Sequence, residues 1–149
     1  MADALRDDDS GLLNEAYFRA ALPNRVATAR RVLRPISIAV IVVDLDEATP
    51  AVAFALLDTL RESDTACRLA DGRFALLLED TPEDGAVWTV ERVRRLLGEQ
   101  HSTAMLWAGV ASYPAHALEA ADLLDLAEQA LVAARQWDAS RIEVAQPVG

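Results

Sequence analysis

The sequence predicts a single α+β domain built on a mostly antiparallel sheet, with helices on one or both faces. Three observations carry this. Residues 36–43 (ISIAVIVV) are an unbroken, largely β-branched run, which fits a central strand covered on both sides. Residues 61–79 read as strand, tight turn and strand around Asp71-Gly72, a pair suited to a two-residue type I′ hairpin because that turn needs φ > 0 at both central positions. Helical periodicity alternates with these strands, giving the order α-α-β-α-β-β-α-β-α-β.

Taken in order, residues 1–9 are expected to be loose, with Asp7-Asp8-Asp9 as a solvated tail. Asp9 or Ser10 can cap a helix carrying Leu12, Leu13, Tyr17, Phe18 and Leu22. Pro23 is expected to interrupt it, and a basic second piece runs over residues 24–33 until Pro35 stops it. The strand at 36–43 ends in Asp44-Leu45-Asp46. Thr49-Pro50 reads as N-cap and first helical residue of a helix to Arg61, with Val52, Leu56, Leu57 and Leu60 inward. After the hairpin, Asp80-Thr81-Pro82-Glu83-Asp84 opens a helix to about residue 99, its acids favourably placed at the positive end of the dipole. Residues 104–112 form a strand, 119–136 an Ala- and Leu-rich helix, and 141–145 a last short strand, so the sheet is expected to have five strands.

Composition narrows the partners. The 149 residues make one domain, and 52% apolar content is too rich for disorder. A net charge of −10 argues against nucleic acid, which needs a basic footprint, yet leaves room for a small anion held by a local arginine cluster. Cys67 is the single cysteine, in a strand; it excludes an intrachain disulfide, suits a reducing cytoplasm and reads as a core residue. No signal peptide is visible and no apolar run is long enough to span a bilayer, so no membrane partner is expected. His101 and His116 have no metal-ligand spacing and read as surface loop residues; Trp107 and Trp137 read as packing.

Five stretches in order resemble the GGDEF family of diguanylate cyclase domains. Asp7-x-x-Ser10-Gly11-Leu12-Leu13-Asn14-x-x-x-Phe18 is similar to the D-x-L-T-G-L-x-N-R-x-x-F signature, with Asp9 and Glu15 as departures. Val43-Asp44-Leu45-Asp46 is similar to the D-x-D strand end, and Arg68-Leu69-Ala70-Asp71-Gly72-Arg73-Phe74 followed by ALLL to R-x-G-G-D-E-F-A-L-L-L. Residues 109–114 (GVASYP) and 130–135 (ALVAAR) resemble the later strand and last helix. The resemblance implies a nucleotidyl cyclase-like fold with a ferredoxin-like core, spanning residues 1–149.

Family enzymes join two GTP molecules into cyclic di-GMP with divalent metal held by the first aspartate of D-x-D and the third residue of G-G-D-E-F. Asp44 matches the former, but Gly72 stands at the latter and Arg73 reverses the next charge; one aspartate is a poor site for a hard cation. Asp71 carries a carboxylate one place over, pointing elsewhere on a pleated hairpin. Only 16 residues separate Asp44 from Arg61, so about four helical turns of the family's nucleotide-contacting region are absent at 3.6 residues per turn. The family's Lys in the last helix is matched by Arg135, but its downstream arginine falls near Ala139. The expectation is a vestigial active site at Asp44, Asp46, Ala70, Asp71, Gly72, Arg73 and Phe74, with no catalytic residues, no cofactor and no magnesium.

The family's second nucleotide site is an R-x-x-D placed five residues before the G-G-D-E-F turn. Arg61-Glu62-Ser63-Asp64 stands five residues before Ala70, and the helical arginine that joins that site corresponds to Arg92, eighteen residues beyond Phe74. Guanidinium forks suit phosphate oxygens and the guanine O6/N7 edge. The plainer alternative is a helix-end ion pair worth about 0–1 kcal/mol, with Arg92 on a solvated face. The register to the hairpin favours a cyclic di-GMP receptor at Arg61, Asp64 and Arg92. Trp88, four residues before Arg92, could stack on a purine, although a core or dimer-interface ring is the commoner role. The competing expectation is a docking or dimerisation module acting on a homodimer or regulated partner without nucleotide; residual cyclase or GTP binding ranks third.

Overall fold

The computed structural model describes residues 4–46 and 48–147. In chain order it contains β1 (Leu13–Asn14), α1 (Glu15–Val32), β2 (Ile36–Asp44), α2 (Ala48–Thr59), β3 (Thr65–Arg68), β4 (Phe74–Glu79), α3 (Glu83–Gln100), β5 (Met105–Tyr113), α4 (Ala120–Ala134) and β6 (Arg141–Val144). The strands form one sheet in the order β1-β3-β4-β2-β5-β6. Its three inner pairings are antiparallel, and the outer two, β1/β3 and β5/β6, are parallel. The sheet therefore has six strands, not five. The addition is Leu13–Asn14, whose register places Leu13 opposite Cys67 and Asn14 opposite Arg68. Two residues are too few to show a period of two, so this stretch reads as helix from spacing alone.

The N-terminal helix is one element rather than two. Asn14, not Asp9 or Ser10, caps it: its Oδ1 accepts from the Tyr17 N–H at 3.1 Å. Pro23 lies inside α1. An interior proline costs about 3 kcal/mol, but Phe18, Ala21 and Leu22 before it and Val26 and Ala29 after it bury one continuous face, and packing wins. The residues before the cap make local bonds. Asp7 accepts from the Ser10 N–H and hydroxyl, and the Asn14 N–H donates to Leu5 O. Residues 1–3, part of the stretch expected to be loose, lie outside the described residues.

Both faces of the sheet are covered. Ile36, Ile38, Val40 and Leu77 pack with α1 and α4, while Ala39, Ile41, Leu76 and Leu78 pack with α2 and α3. This alternation follows from the strand period of two, and it explains why the run at 36–43 has no polar face. Helix α4 lies directly on β5 at Gly109, where an added Cβ would fall 2.1 Å from Ala127 O. Cys67 is fully buried, and burial pushes its thiol up to about 12, consistent with a core residue. No helix among the described residues is long and apolar enough to cross a membrane.

Candidate functional site

The β3–β4 turn differs from the expected type I′. Gly72 has φ +93°, but Asp71 is not among the positive-φ residues. The Gly72 N–H donates to Leu69 O at 3.0 Å and the Leu69 N–H to Arg73 O at 2.8 Å. This is the three-residue loop in which a type I turn is followed by a left-handed glycine. Asp-Gly serves both turns, so the dipeptide alone does not separate them.

That turn is closed by charge pairs. Arg73 donates to Asp71 Oδ2 at 2.7 Å and to Glu128 Oε1 of α4 at 2.6 Å. Burial works against the Arg73 charge, but these bonds outweigh it and raise its pKa. Arg68 donates to Gly72 O at 3.0 Å and to Thr49 Oγ1 at 2.8 Å, and lies over the Phe74 ring. Thr49 is thus a side-chain acceptor inside the first turn of α2 rather than its cap; Pro50 is tolerated there because first-turn N–H groups lack helical partners. The Ala70 N–H donates to Glu15 Oε1 at 3.0 Å, and this bond, then Arg19, holds the Glu15 carboxyl below the ordinary glutamate range. Asp44 and Asp46 are exposed near the end of β2, and Phe74 is buried. Among the described residues no three His, Cys, Asp or Glu side chains come together in a way that could hold a metal ion.

The Arg61 turn is organised differently. Asp64 is buried at its side chain, 4% exposed, while Arg61 is 57% exposed. Asp64 Oδ2 accepts from the Arg61 backbone N–H at 3.0 Å, and both carboxylate oxygens accept from the guanidinium at 3.3 Å. Arg61 Nη2 also donates to Glu79 O at 2.6 Å and Thr81 Oγ1 at 2.8 Å. Asp80, with φ +50°, turns the chain from β4 into that acceptor. Arg61 and Asp64 line a cavity of about 290 Å³ together with Thr59, Thr81, Gly85 and Trp88. Thr59 Oγ1 is buried without a hydrogen-bond partner.

Of the sequence-derived ligand set, the structure therefore brings Arg61 and Asp64 together. Arg92 is exposed, does not line the cavity, and sits with its guanidinium 5.8 Å from the Trp88 ring centroid. Trp88 is 58% exposed, which rules out a core role. A larger hollow of about 560 Å³ lies beside the same turn, with Arg6, Arg25 and Tyr17. Arg25 there is already paired to Glu79 and the Tyr17 hydroxyl, whereas the smaller cavity sets Arg61 against the exposed Trp88 ring.

Beneath the Arg61 cavity runs a chain of buried polar groups. The Ser37 hydroxyl bonds to Thr81 O and to the Ser112 hydroxyl, both at 2.7 Å. His116 is 5% exposed, so it is not a surface loop residue. Its Nδ1 accepts from the Ser112 N–H at 2.8 Å and its Nε2 faces Glu83 Oε2 at 3.1 Å. A backbone N–H can only donate, so the ring proton is on Nε2. Ser112, near the end of β5, needs an acceptor for that N–H, and His116 supplies it from the loop that follows. Spacing rules for metal ligands are blind to such a role.

The family model for the diguanylate cyclase GGDEF domain matches residues 46–141. No curated protein matches the chain by sequence. Among solved structures, the GGDEF domain of DgcB from Caulobacter crescentus, in complex with c-di-GMP, is similar at a TM-score of 0.85 and 20% identity, over 97% of each chain. The active GGEEF domain of a diguanylate cyclase from Vibrio cholerae gives 0.82 and 22%, over 92% of this chain and 99% of that one. The diguanylate cyclase SiaD of Pseudomonas aeruginosa, in complex with its activator SiaC, gives 0.83 and 22%, over 95% of this chain and 62% of that one. At these identities the likeness carries the fold.

Proposed function

Because this chain belongs to the GGDEF domain family, we propose that it is a catalytically inactive member that receives cyclic di-GMP at the Arg61–Asp64 turn and relays its presence to a protein partner. The observation that carries the reading is the state of Arg61: a half-exposed guanidinium, oriented by a buried carboxylate, at the mouth of a cavity. Among the described residues its Nη1 donates to no group and remains available to a phosphate or guanine edge. The related DgcB domain was solved with c-di-GMP, which supports the ligand class.

Inactivity rests on the other turn. Phosphoryl transfer needs metal and positioned positive charge at the reacting phosphates. Here the position of the missing acid is a left-handed glycine, and Arg73 is committed to Asp71 and Glu128. Calorimetric titration with cyclic di-GMP tests both parts. Wild type and Arg73→Ala are expected to bind and Arg61→Ala to lose binding, with no cyclic di-GMP formed from GTP and magnesium. Absence of heat in folded wild type, or product from GTP, overturns the reading.

A second reading, a docking module without nucleotide, is favoured by α2. Apart from Asp58 its twelve residues carry no charge, yet Phe54 is 60% and Leu57 67% exposed. A helix apolar on all sides normally has something on each of them.

A further inference from the structure

We infer that Trp88 is the stacking platform for a nucleobase in the Arg61 cavity, so that the site selects a planar base carrying phosphate rather than phosphate alone. This rests on the proposed ligand-binding role of Arg61. On α3, Ala86, Val90 and Val93 are buried and turn inward, whereas Trp88 faces outward and exposes more than half its surface. A large aromatic ring at a solvent-facing position fits no packing role. The ring lines the same cavity as Arg61, Asp64 and Thr81. One turn earlier, Gly85 leaves the helix surface bare beside it; an added Cβ there would stand 3.1 Å from Thr81 Cγ2.

The arrangement also gives Arg92 a task. It does not line the cavity, but its guanidinium lies over the Trp88 ring, four residues along the same helix. A base stacked on Trp88 comes within reach of that charge, while Arg61 meets phosphate or a base edge from across the cavity. Aromatic stacking is indifferent to which base presents its π-face, so Trp88 supplies affinity for planarity, and Arg61 supplies polar recognition. Arg92 then acts through the ring rather than as a direct wall of the site.

The test is titration of the full chain with cyclic di-GMP, GMP and inorganic pyrophosphate, read by calorimetry and tryptophan fluorescence. Wild type should bind cyclic di-GMP with a change in tryptophan emission. Trp88→Ala should weaken cyclic di-GMP and GMP by about tenfold, the scale of one lost base stack, and leave pyrophosphate unchanged. Trp88→Phe keeps a flat ring and should recover most of the affinity while losing the emission change. Equal cyclic di-GMP affinity for wild type and Trp88→Ala overturns the stacking role alone; no nucleotide binding by wild type overturns the Arg61 reading with it. A change in molar mass by light scattering on Trp88→Ala, without a change in binding, reassigns the ring to a contact between copies and also overturns the proposal.

Discussion

The turns at Arg61 and Arg73 each pair an arginine with a nearby aspartate, and they leave the arginine in opposite states. At the hairpin, Arg73 is 26% exposed and bonded to two carboxylates, Asp71 and Glu128, which are themselves 54% and 39% exposed. The charge is spent within the fold. At the other turn the aspartate is buried and the arginine is outside, 57% exposed, facing one carboxylate instead of two. A guanidinium oriented by a buried acid keeps its direction while its outer edge stays open to solvent. The difference shows that counting arginines near acids says little; which partner is buried decides whether the pair braces the chain or presents a charge.

The strongest way to break this comparison is Asp64→Ala. Asp64 satisfies the Arg61 backbone N–H and two guanidinium contacts from a buried position. Its loss should cost about 1–3 kcal/mol in urea unfolding, the range for unpairing buried polar groups, and should abolish cyclic di-GMP binding. If Asp64→Ala unfolds like wild type and still binds, the turn is not oriented by the buried acid.

A smaller effect is expected at Gly72, where the comparison can be sharpened on the hairpin side. Its φ of +93° is unfavourable for any side chain, and an added Cβ meets Arg68 Nη2 at an ordinary 3.5 Å. Gly72→Ala should therefore cost about 1 kcal/mol or somewhat more from backbone strain alone, leaving cyclic di-GMP affinity unchanged. An acid at this position meets the same strain in this chain.

Much of the fold was legible because strands with two buried faces and helices with one follow simple periods. Residues 36–43 and 74–78 needed only the absence of a polar face. The missed strand at Leu13–Asn14 and the continuous α1 through Pro23 depend on distant partners, Cys67 for one and the apolar face around Val26 for the other, which local propensity does not contain. For the site, register singled out Arg61 and Asp64, which pair at one turn in the structure. It could not show that Arg92 stands behind Trp88 or that His116 is buried, because both depend on how helices and loops lie on the sheet. Glu15 was equally invisible, since its partner is a backbone N–H fifty-five residues away.

Glu15 offers the finest test. Its carboxyl is held low first by the Ala70 N–H and then by Arg19. An acid whose folded pKa lies below its unfolded value contributes stability above the unfolded pKa and loses it as pH falls through the folded one. Glu15→Gln should then be less stable than wild type near neutral pH, by under about 1 kcal/mol for so partly exposed a group, with the gap closing in acid. Because Glu15 ties α1 to the hairpin and makes no contact with the Arg61 turn, cyclic di-GMP affinity should not follow. A gap that persists unchanged into acid would mean that the cost comes from the substitution itself and not from the carboxylate charge.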